Sequence, residues 1–375
     1  MVNKKRVIRL LQQLIAIRSE NPSGDEYAIA RFVQRYLSAL GVTAKIHEFK
    51  KRRSNVIAEI KGTLTSHSLL LTPHLDTVPA GKGWSCDPFR GAIKNNRLYG
   101  LGATDCKVNI ACALEAMQSL IEKRVSLPYT LVFAATANEE SGSDFGLVTL
   151  LDRGILHPSA AVVLDADDFE IVVTQKGLMH LKIKVRGRRA HGAYPWLGVN
   201  AIAVVLKILK EVQDLRFPSQ KNSYLRRPTV NIGTIRGGDK VNVVADWCEC
   251  EIDVRYLPGT EATPLLAQIR KICRSHAKKF SIEIEGIQKP YSIGGRHPLV
   301  RYLAQAMEDA GARGRIRGSE GATVITFFQD KGIPAVATGF GREGTAHMTD
   351  EYVPLDNIYR GALALENFLL CYRAD

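Results

Sequence analysis

Apolar residues in this chain come in two kinds of run, and the contrast between them predicts the layout. Short aliphatic or β-branched runs stop just before an acid or a histidine: LLLTPHLDTVP leads to His74 and Asp76, LVFAATANEESG to Glu139 and Glu140, AVVLDADD to Asp165, and AVATGFGREGTAHMTDEY to His347. Unbroken apolar runs of this length read as strands buried on both faces, the habit of a parallel sheet. Elsewhere the apolar positions recur at helical spacing. Val7, Leu10, Leu11, Leu14 and Ile15 predict an amphipathic first helix, and Val108, Cys112, Met117, Leu120 and Ile121 line a helix from Asp105 to about Lys123. Strands alternating with helices predict an α/β layer, a mostly parallel sheet sandwiched by helices.

The pattern changes near residue 177. Residues 178–185 alternate like a strand, 200–215 have helical periodicity, 229–235 and 247–256 read as strands, 263–279 as a helix and 281–287 as a last strand. The order β-α-β-β-α-β is that of a ferredoxin-like unit. The α/β pattern resumes from about Tyr291 and ends with a strand at 334–338 and a final helix. The expected organisation is a catalytic domain built from 1–176 and 289–375, interrupted by an inserted ferredoxin-like α+β domain at 177–288.

Composition narrows the function classes. With 375 residues, 45% of them hydrophobic and 24% charged, the chain can bury a substantial core in two domains. No apolar stretch is long enough to cross a bilayer, so no membrane partner is expected. Gln12, Gln13 and Arg18 break up the apolar start, which reads as a helix rather than a secretion signal. Seven cysteines, an odd number with no C-x-x-C pair, point to reduced thiols and a cytoplasmic protein. Cys248 and Cys250, two apart in a strand, are expected to share a face. The net charge of +13 raises the question of nucleic acid. The basic clusters (Lys50 to Arg53, Arg186 with Arg188 and Arg189, Arg226 with Arg227) are short, scattered and free of interleaved aromatics, so no specific nucleic-acid partner is expected. The charge suits a solvated surface or attraction of anionic substrates.

In open α/β sheets, sites lie outside the carboxyl ends of the strands. Four strand ends therefore deliver His74, Asp76, Glu139, Glu140, Asp165 and His347 to one edge, and the glycine-rich turn LYGLGATDCK adds Asp105. Five carboxylates in one crevice repel one another unless cations sit among them. Zinc-type ions accept imidazole and carboxylate, and paired ions need a bridging carboxylate. Asp105 reads as the bridge, with His74 and Asp165 completing one ion and Glu140 and His347 the other. Asp76, two residues from His74, is expected to hold that imidazole. Glu139 remains as a free carboxylate beside the ions, the place of a general base. Zinc, cobalt and manganese all tolerate these donors.

The stretches HLDTVP, W-x-x-x-P-F (Trp84 to Phe89), LYGLGATDCK, ANEESGS, RAHGAYPWLGVNA, VNVVAD with DVRY, and GTAHMTDEYV together resemble the dinuclear-zinc aminoacylase/carboxypeptidase family. That family includes acetylornithine deacetylase, succinyl-diaminopimelate desuccinylase, glutamate-releasing carboxypeptidase and several di- and tripeptidases. The resemblance runs from about Arg6 to the last helix. It implies a metallohydrolase that cleaves an amide C–N bond in an N-acyl amino acid or small peptide. It also implies two divalent ions on His74, Asp105, Glu140, Asp165 and His347, with Glu139 as base, Asp76 supporting His74, and a cis peptide after Asp105. The inserted domain becomes a lid through which the chain forms a homodimer by edge pairing. His191 of the RAHGAYP motif then reaches a partner subunit's site to stabilise the oxyanion, while Asn242 and Arg255 match lid positions that contact substrate.

This sequence departs from the family pattern in places. Val108 stands where Gly usually follows D-x-K, Ala245 where Pro is common, and Gly318-Ser319-Glu320 where the family has a G-T-D-like loop. Ala322 stands where some members carry a substrate-binding Arg, so the substrate mode of desuccinylases that use that Arg does not carry over. Asp165 is Glu in many deacylases and carboxypeptidases and Asp in dipeptidases and aminopeptidases, which tilts the reading toward peptides. Within the enzyme class the alternative is a di-/tripeptidase or aminopeptidase. From another class, the alternative is a non-catalytic dimeric ligand-binding homologue, against which no ligand or base position is missing.

Overall fold

The four apolar runs that end in ligand-type side chains become four neighbouring parallel strands. Ser68–Thr72 lies between Thr130–Ala135 and Ala160–Leu164, and Ala335–Thr338 follows on the far side of Ala160–Leu164. Every residue of Ala160–Leu164 and Ala335–Thr338 is buried, as expected of strands covered on both faces. Antiparallel strands flank this centre: Arg53–Ile60 and then Ala44–Lys50 on one edge, Glu170–Gln175 on the other. The computed structural model describes residues 1–217 and 222–373. The chain divides into two units, one made of Met1–Val173, Ile293–Arg317 and the segment from Phe327 on, the other of Thr174–Ser292 with Gly318–Thr326.

In the first unit, helices Lys4–Ile15, Lys107–Glu122, Pro298–Asp309 and Leu355–Cys371 pack on one another. The first helix buries the five apolar residues its spacing predicts, and Asn3 caps it by accepting from the amides of Lys5 and Arg6 at 3.0 and 3.1 Å. A small second sheet joins distant parts of the unit: Ala92–Lys94 and Arg97–Tyr99 form a hairpin, and Tyr352–Pro354 pairs antiparallel with Arg97–Tyr99. Opposing Tyr352 to Tyr99 sets Glu351 beside the turn that starts at Gly100, whose amide donates to the Glu351 carbonyl at 3.0 Å.

The second unit is one antiparallel sheet in the order Thr229–Gly237, Trp247–Tyr256, Gly177–Arg186, Phe280–Gln288, the ferredoxin-like arrangement. Burial alternates residue by residue along Gly177–Arg186 and Trp247–Tyr256, because only one sheet face is covered, by helices Ala201–Gln213 and Ala262–His276. Cys248 and Cys250 do share that inner face, and both are free thiols. Gly318–Thr326 joins this unit through Glu320, whose carboxylate lies 2.6 Å from the Lys176 ammonium, and through Gln175, which donates to the Thr323 carbonyl at 3.2 Å.

Gly361 offers a test of core packing in the first unit. A Cβ there would stand 2.4 Å from Cγ and 2.7 Å from Cβ of Phe340, which is fully buried and has nowhere to withdraw. Alanine normally gains about 1 kcal/mol over glycine in a helix, but overpacking costs about 1–3 kcal/mol. Gly361→Ala is therefore expected to lower stability in urea unfolding, by up to about 2 kcal/mol, despite its better helix propensity.

Candidate metal centre

Short ladders continue past the strand ends and bring the site residues into line. His74 bridges Thr136, Leu75 donates to the Thr136 carbonyl at 2.7 Å, and the Asp165 amide donates to the Thr338 carbonyl at 2.9 Å. The turn after Thr136 puts Asn138 in the left-handed region at φ 66° and begins a 3₁₀ turn at Glu139. His347 also has positive φ, 60°, which is uncommon for a residue other than glycine.

Asp105 lies at the centre. Its Oδ1 is 2.8 Å from His74 Nε2 and its Oδ2 is 3.0 Å from His347 Nε2, so each oxygen faces a different imidazole. Asp165 Oδ1 is 3.6 Å from His74 Nε2, and Glu140 Oε1 is 3.0 Å from His347 Nε2. Two donor groups result, one around His74 with Asp105 and Asp165, the other around His347 with Asp105 and Glu140. Glu139 joins the first, with donor atoms of His74, Glu139 and Asp165 all within 4.8 Å of one another. The peptide between Asp105 and Cys106 is cis.

Asp76 sits differently from what its spacing suggested. His74 Nδ1 meets the main-chain carbonyl of Asp76 at 3.0 Å, while the Asp76 carboxylate is 3.7 Å from that nitrogen. The carboxylate instead accepts from the amides of Glu139 and Glu140, both at 3.0 Å, and from the Asn21 side chain. A second buried acid, Glu351, does the same for the other ligand loop, accepting from the amides of Gly102, Thr104 and Asp105 at 2.7–3.0 Å. Glu351 lies within the motif GTAHMTDEYV, but sequence reasoning assigned it no role. The available signal was an acid placed directly before a short β run. Asn109 was also missed: it donates to the Leu164 carbonyl and accepts from the Phe340 amide, both at 3.0 Å, tying together the ends of two parallel strands.

Electrostatics agree with a cation site. Among the described residues no lysine or arginine lies within ion-pair distance of Asp76, Asp105, Glu139, Glu140 or Asp165. Burial, then the charge of Asp165, with Asp105 and Asp76 adding, pushes the Glu139 carboxyl well above the usual range; His74 opposes this. Burial works against a charged Asp105, yet hydrogen bonds with His347 and His74 hold its carboxyl well below the usual range. Asp105 and Glu140 together push His347 up to about 10. Burial disfavours a charged His74, but Cys106, Asp105, Asp165 and Asp76 outweigh it and raise its pKa. The acids thus raise the affinity of both imidazoles for protons. The donor types fit a divalent transition ion, which would take the place of those protons.

The other expected site residues belong to the second unit. His191 bridges Val243, and the Gly192 amide donates to the Asn242 carbonyl at 2.8 Å, so His191 and Asn242 are neighbours on exposed loops. Arg255 lies near the opposite end of the strand Trp247–Tyr256, about 25 Å away at roughly 3.3 Å per residue, and grips Asp253 with two hydrogen bonds of 2.8 and 3.0 Å.

A proton count follows from His347. With its pKa pushed up to about 10, it carries a proton at neutral pH that an incoming ion must displace. Affinity for zinc is expected to fall as pH is lowered from 8 to 6. Titration calorimetry at pH 7.5 in two buffers of different ionisation enthalpy should show net proton release. Equal apparent enthalpies in the two buffers would mean that His347 is neutral in the free protein.

Comparison with known proteins agrees with this geometry. The family model described as peptidase family M20/M25/M40 matches residues 70–370. Acetylornithine deacetylase of Vibrio cholerae is 29% identical over 346 residues, covering 89% of this chain and 88% of its own. The fold is shared with aminopeptidase PepT from Bacillus cereus (TM-score 0.82, 23% identity, 98% of each chain). It is also shared with a dinuclear metal-binding peptidase of Bacillus subtilis (TM-score 0.75, 17% identity, 98% of this chain and 97% of that one). With a family match across most of its length and an acid-rich centre at the strand ends, the chain belongs to peptidase family M20/M25/M40 and is a metal-dependent amide hydrolase.

Proposed function

We propose that the chain hydrolyses the amide bond of an N-acyl amino acid or a short peptide, as a deacylase or exopeptidase, with Glu139 as general base. The observation that carries this reading is the pair of contacts made by Asp105, one oxygen to each histidine, with Glu139 beside the cluster. His74, Asp105 and Asp165 would hold one divalent ion, and Asp105, Glu140 and His347 a second. Zinc is the preferred assignment, and cobalt or manganese is compatible with the same donors. Such ions supply positive charge that polarises the scissile carbonyl and eases deprotonation of water.

The chain's own groups do the remaining work. Glu139 takes the proton of the attacking water and returns it to the departing amine nitrogen; its upward-shifted pKa supports both halves of that transfer. Asp76 and Glu351 hold the loops that carry Glu139, Glu140 and Asp105. His191 stabilises the oxyanion of the tetrahedral intermediate. Asn242 and Arg255 contact the substrate, Arg255 through a carboxylate. A short substrate cannot span the roughly 25 Å between the two ends of the strand Trp247–Tyr256, which supports His191 and Asn242 serving one site and Arg255 another.

That division suits a homodimer formed through the inserted unit, in which His191 reaches the partner subunit's centre. Support comes from the edge strand Thr229–Gly237, which pairs on one side only, and from exposed Tyr194, Trp196, Leu206 and Ile235 in the same unit. No described helix is long and apolar enough to cross a membrane, and seven free thiols are consistent with a reducing cytoplasm.

Two variants test the mechanism. Glu139→Gln is expected to keep its metal while losing most turnover, about a hundredfold or more, because general-base catalysis contributes about 10²–10⁴. Wild-type turnover in that variant refutes Glu139 as base. His191→Ala should slow release of amine without changing metal content; loss of metal instead would assign His191 to the ion site. A panel of N-acyl amino acids and di- and tripeptides, read by amine released, separates deacylase from exopeptidase.

A further inference from the structure

Four consecutive main-chain amides, from Ala137 to Glu140, are each taken by a buried side chain. Asn55 Oδ1 accepts from Ala137 at 2.9 Å, Glu26 Oε1 from Asn138 at 3.2 Å, and the two oxygens of Asp76 from Glu139 and Glu140 at 3.0 Å each. Asn55 is fixed in turn by donating to the carbonyls of His47 and Phe145 at 3.1 and 2.8 Å. Glu26 and Asp76 are fully buried, so their charges need a buried counterpart. Arg53 supplies it. One nitrogen, Nη1, donates to Glu26 Oε1 at 2.6 Å and to Asn21 Oδ1 at 2.5 Å, and the Asn21 amide donates onward to Asp76. A single guanidinium therefore touches one of the two carboxylates directly and the other through Asn21.

We infer that Arg53 and Glu26 are positioning residues for the turn that carries Glu139 and Glu140: they hold its main chain at the angle that aims the base. This rests on the reading of Glu139 given above. Neither residue reaches the reacting atoms. Arg53 lies on an antiparallel strand of the sheet and Glu26 immediately precedes helix Tyr27–Ala39; Glu26 touches a turn more than 80 residues further along the chain, and Arg53 reaches that turn through Glu26. The Gly24 backbone is pressed so close that a Cβ on it would stand 1.8 Å from the Arg53 Cζ, so the site is shaped around the guanidinium.

The test pairs kinetics of the metal-saturated enzyme with hydrogen exchange of the metal-free protein. Arg53→Gln is expected to lower kcat about ten- to hundredfold with KM within about twofold, the loss that goes with a misplacement of about 1 Å. Exchange at the amides of 137–140 should become faster at the same time. Gly24→Ala, which keeps every charge but displaces the guanidinium, should do the same and decides the matter if Arg53→Gln does not fold. Glu26→Gln, which retains an acceptor oxygen, should keep more turnover than Glu26→Leu. The neighbouring Arg52→Gln, an exposed arginine paired with Asp25, should change neither readout. Unchanged kcat in Arg53→Gln and Gly24→Ala overturns the inference, as does a lowered kcat with exchange at 137–140 unaltered. If Glu139→Gln proves as active as wild type, the reading of the base falls, while exchange in the Arg53 variants still decides whether the turn is held this way.

Discussion

Everything at this centre follows from like charges that the fold forces together. Asp76, Asp105, Glu139, Glu140 and Asp165 share one crevice with only two imidazoles to offset them. Two unit charges about 4 Å apart repel by about 4 kcal/mol at an effective dielectric of about 20, so several such pairs rival the net stability of a domain. The polypeptide withstands this because strand ends and tightly hydrogen-bonded turns hold its acids, and because those acids raise the proton affinity of His74 and His347. Divalent ions remove the repulsion at its source. Affinity for cations is thus the counterpart of the strain in the free protein.

The loops that present the ligands are held by one device used twice. A buried carboxylate accepts several main-chain amides of one turn: Glu351 those of Gly102, Thr104 and Asp105, and Asp76 those of Glu139 and Glu140. Runs of amides in turns commonly bind anionic ligands. Here the anion is the protein's own side chain, so the turn is already filled and cannot reorganise around the substrate. That rigidity is what a catalytic carboxylate needs, since its aim must be set before the substrate arrives.

Much of this was legible from residue order. Unbroken apolar runs ending at His74, Glu139 and Asp165 announced buried parallel strands, and those strands lie side by side with these residues beyond their carboxyl ends. Alternation along residues 178–185 announced a strand, and the strands Gly177–Arg186 and Trp247–Tyr256 lie in a sheet covered on one face. The antiparallel strands at the sheet edges were less visible, because Arg53–Ile60 opens on the polar residues Arg53, Ser54 and Asn55, which are buried through hydrogen bonds rather than hydrophobicity. The Asp76 carboxylate accepts from the Glu139 and Glu140 amides at 3.0 Å and stands 3.7 Å from His74 Nδ1. Spacing shows which side chains are near each other; it does not show which of several nearby donors a carboxylate will accept. Glu351 was invisible for the same reason, since its partners are amides, and every residue but proline has one.

The small sheet that pairs Tyr352–Pro354 with Arg97–Tyr99 also orders events in time. During synthesis the segments bearing His74, Asp105, Glu140 and Asp165 emerge long before Glu351, the residue that clamps the Asp105 loop, and before His347. A nascent chain therefore carries most of its acids without the strand that steadies them.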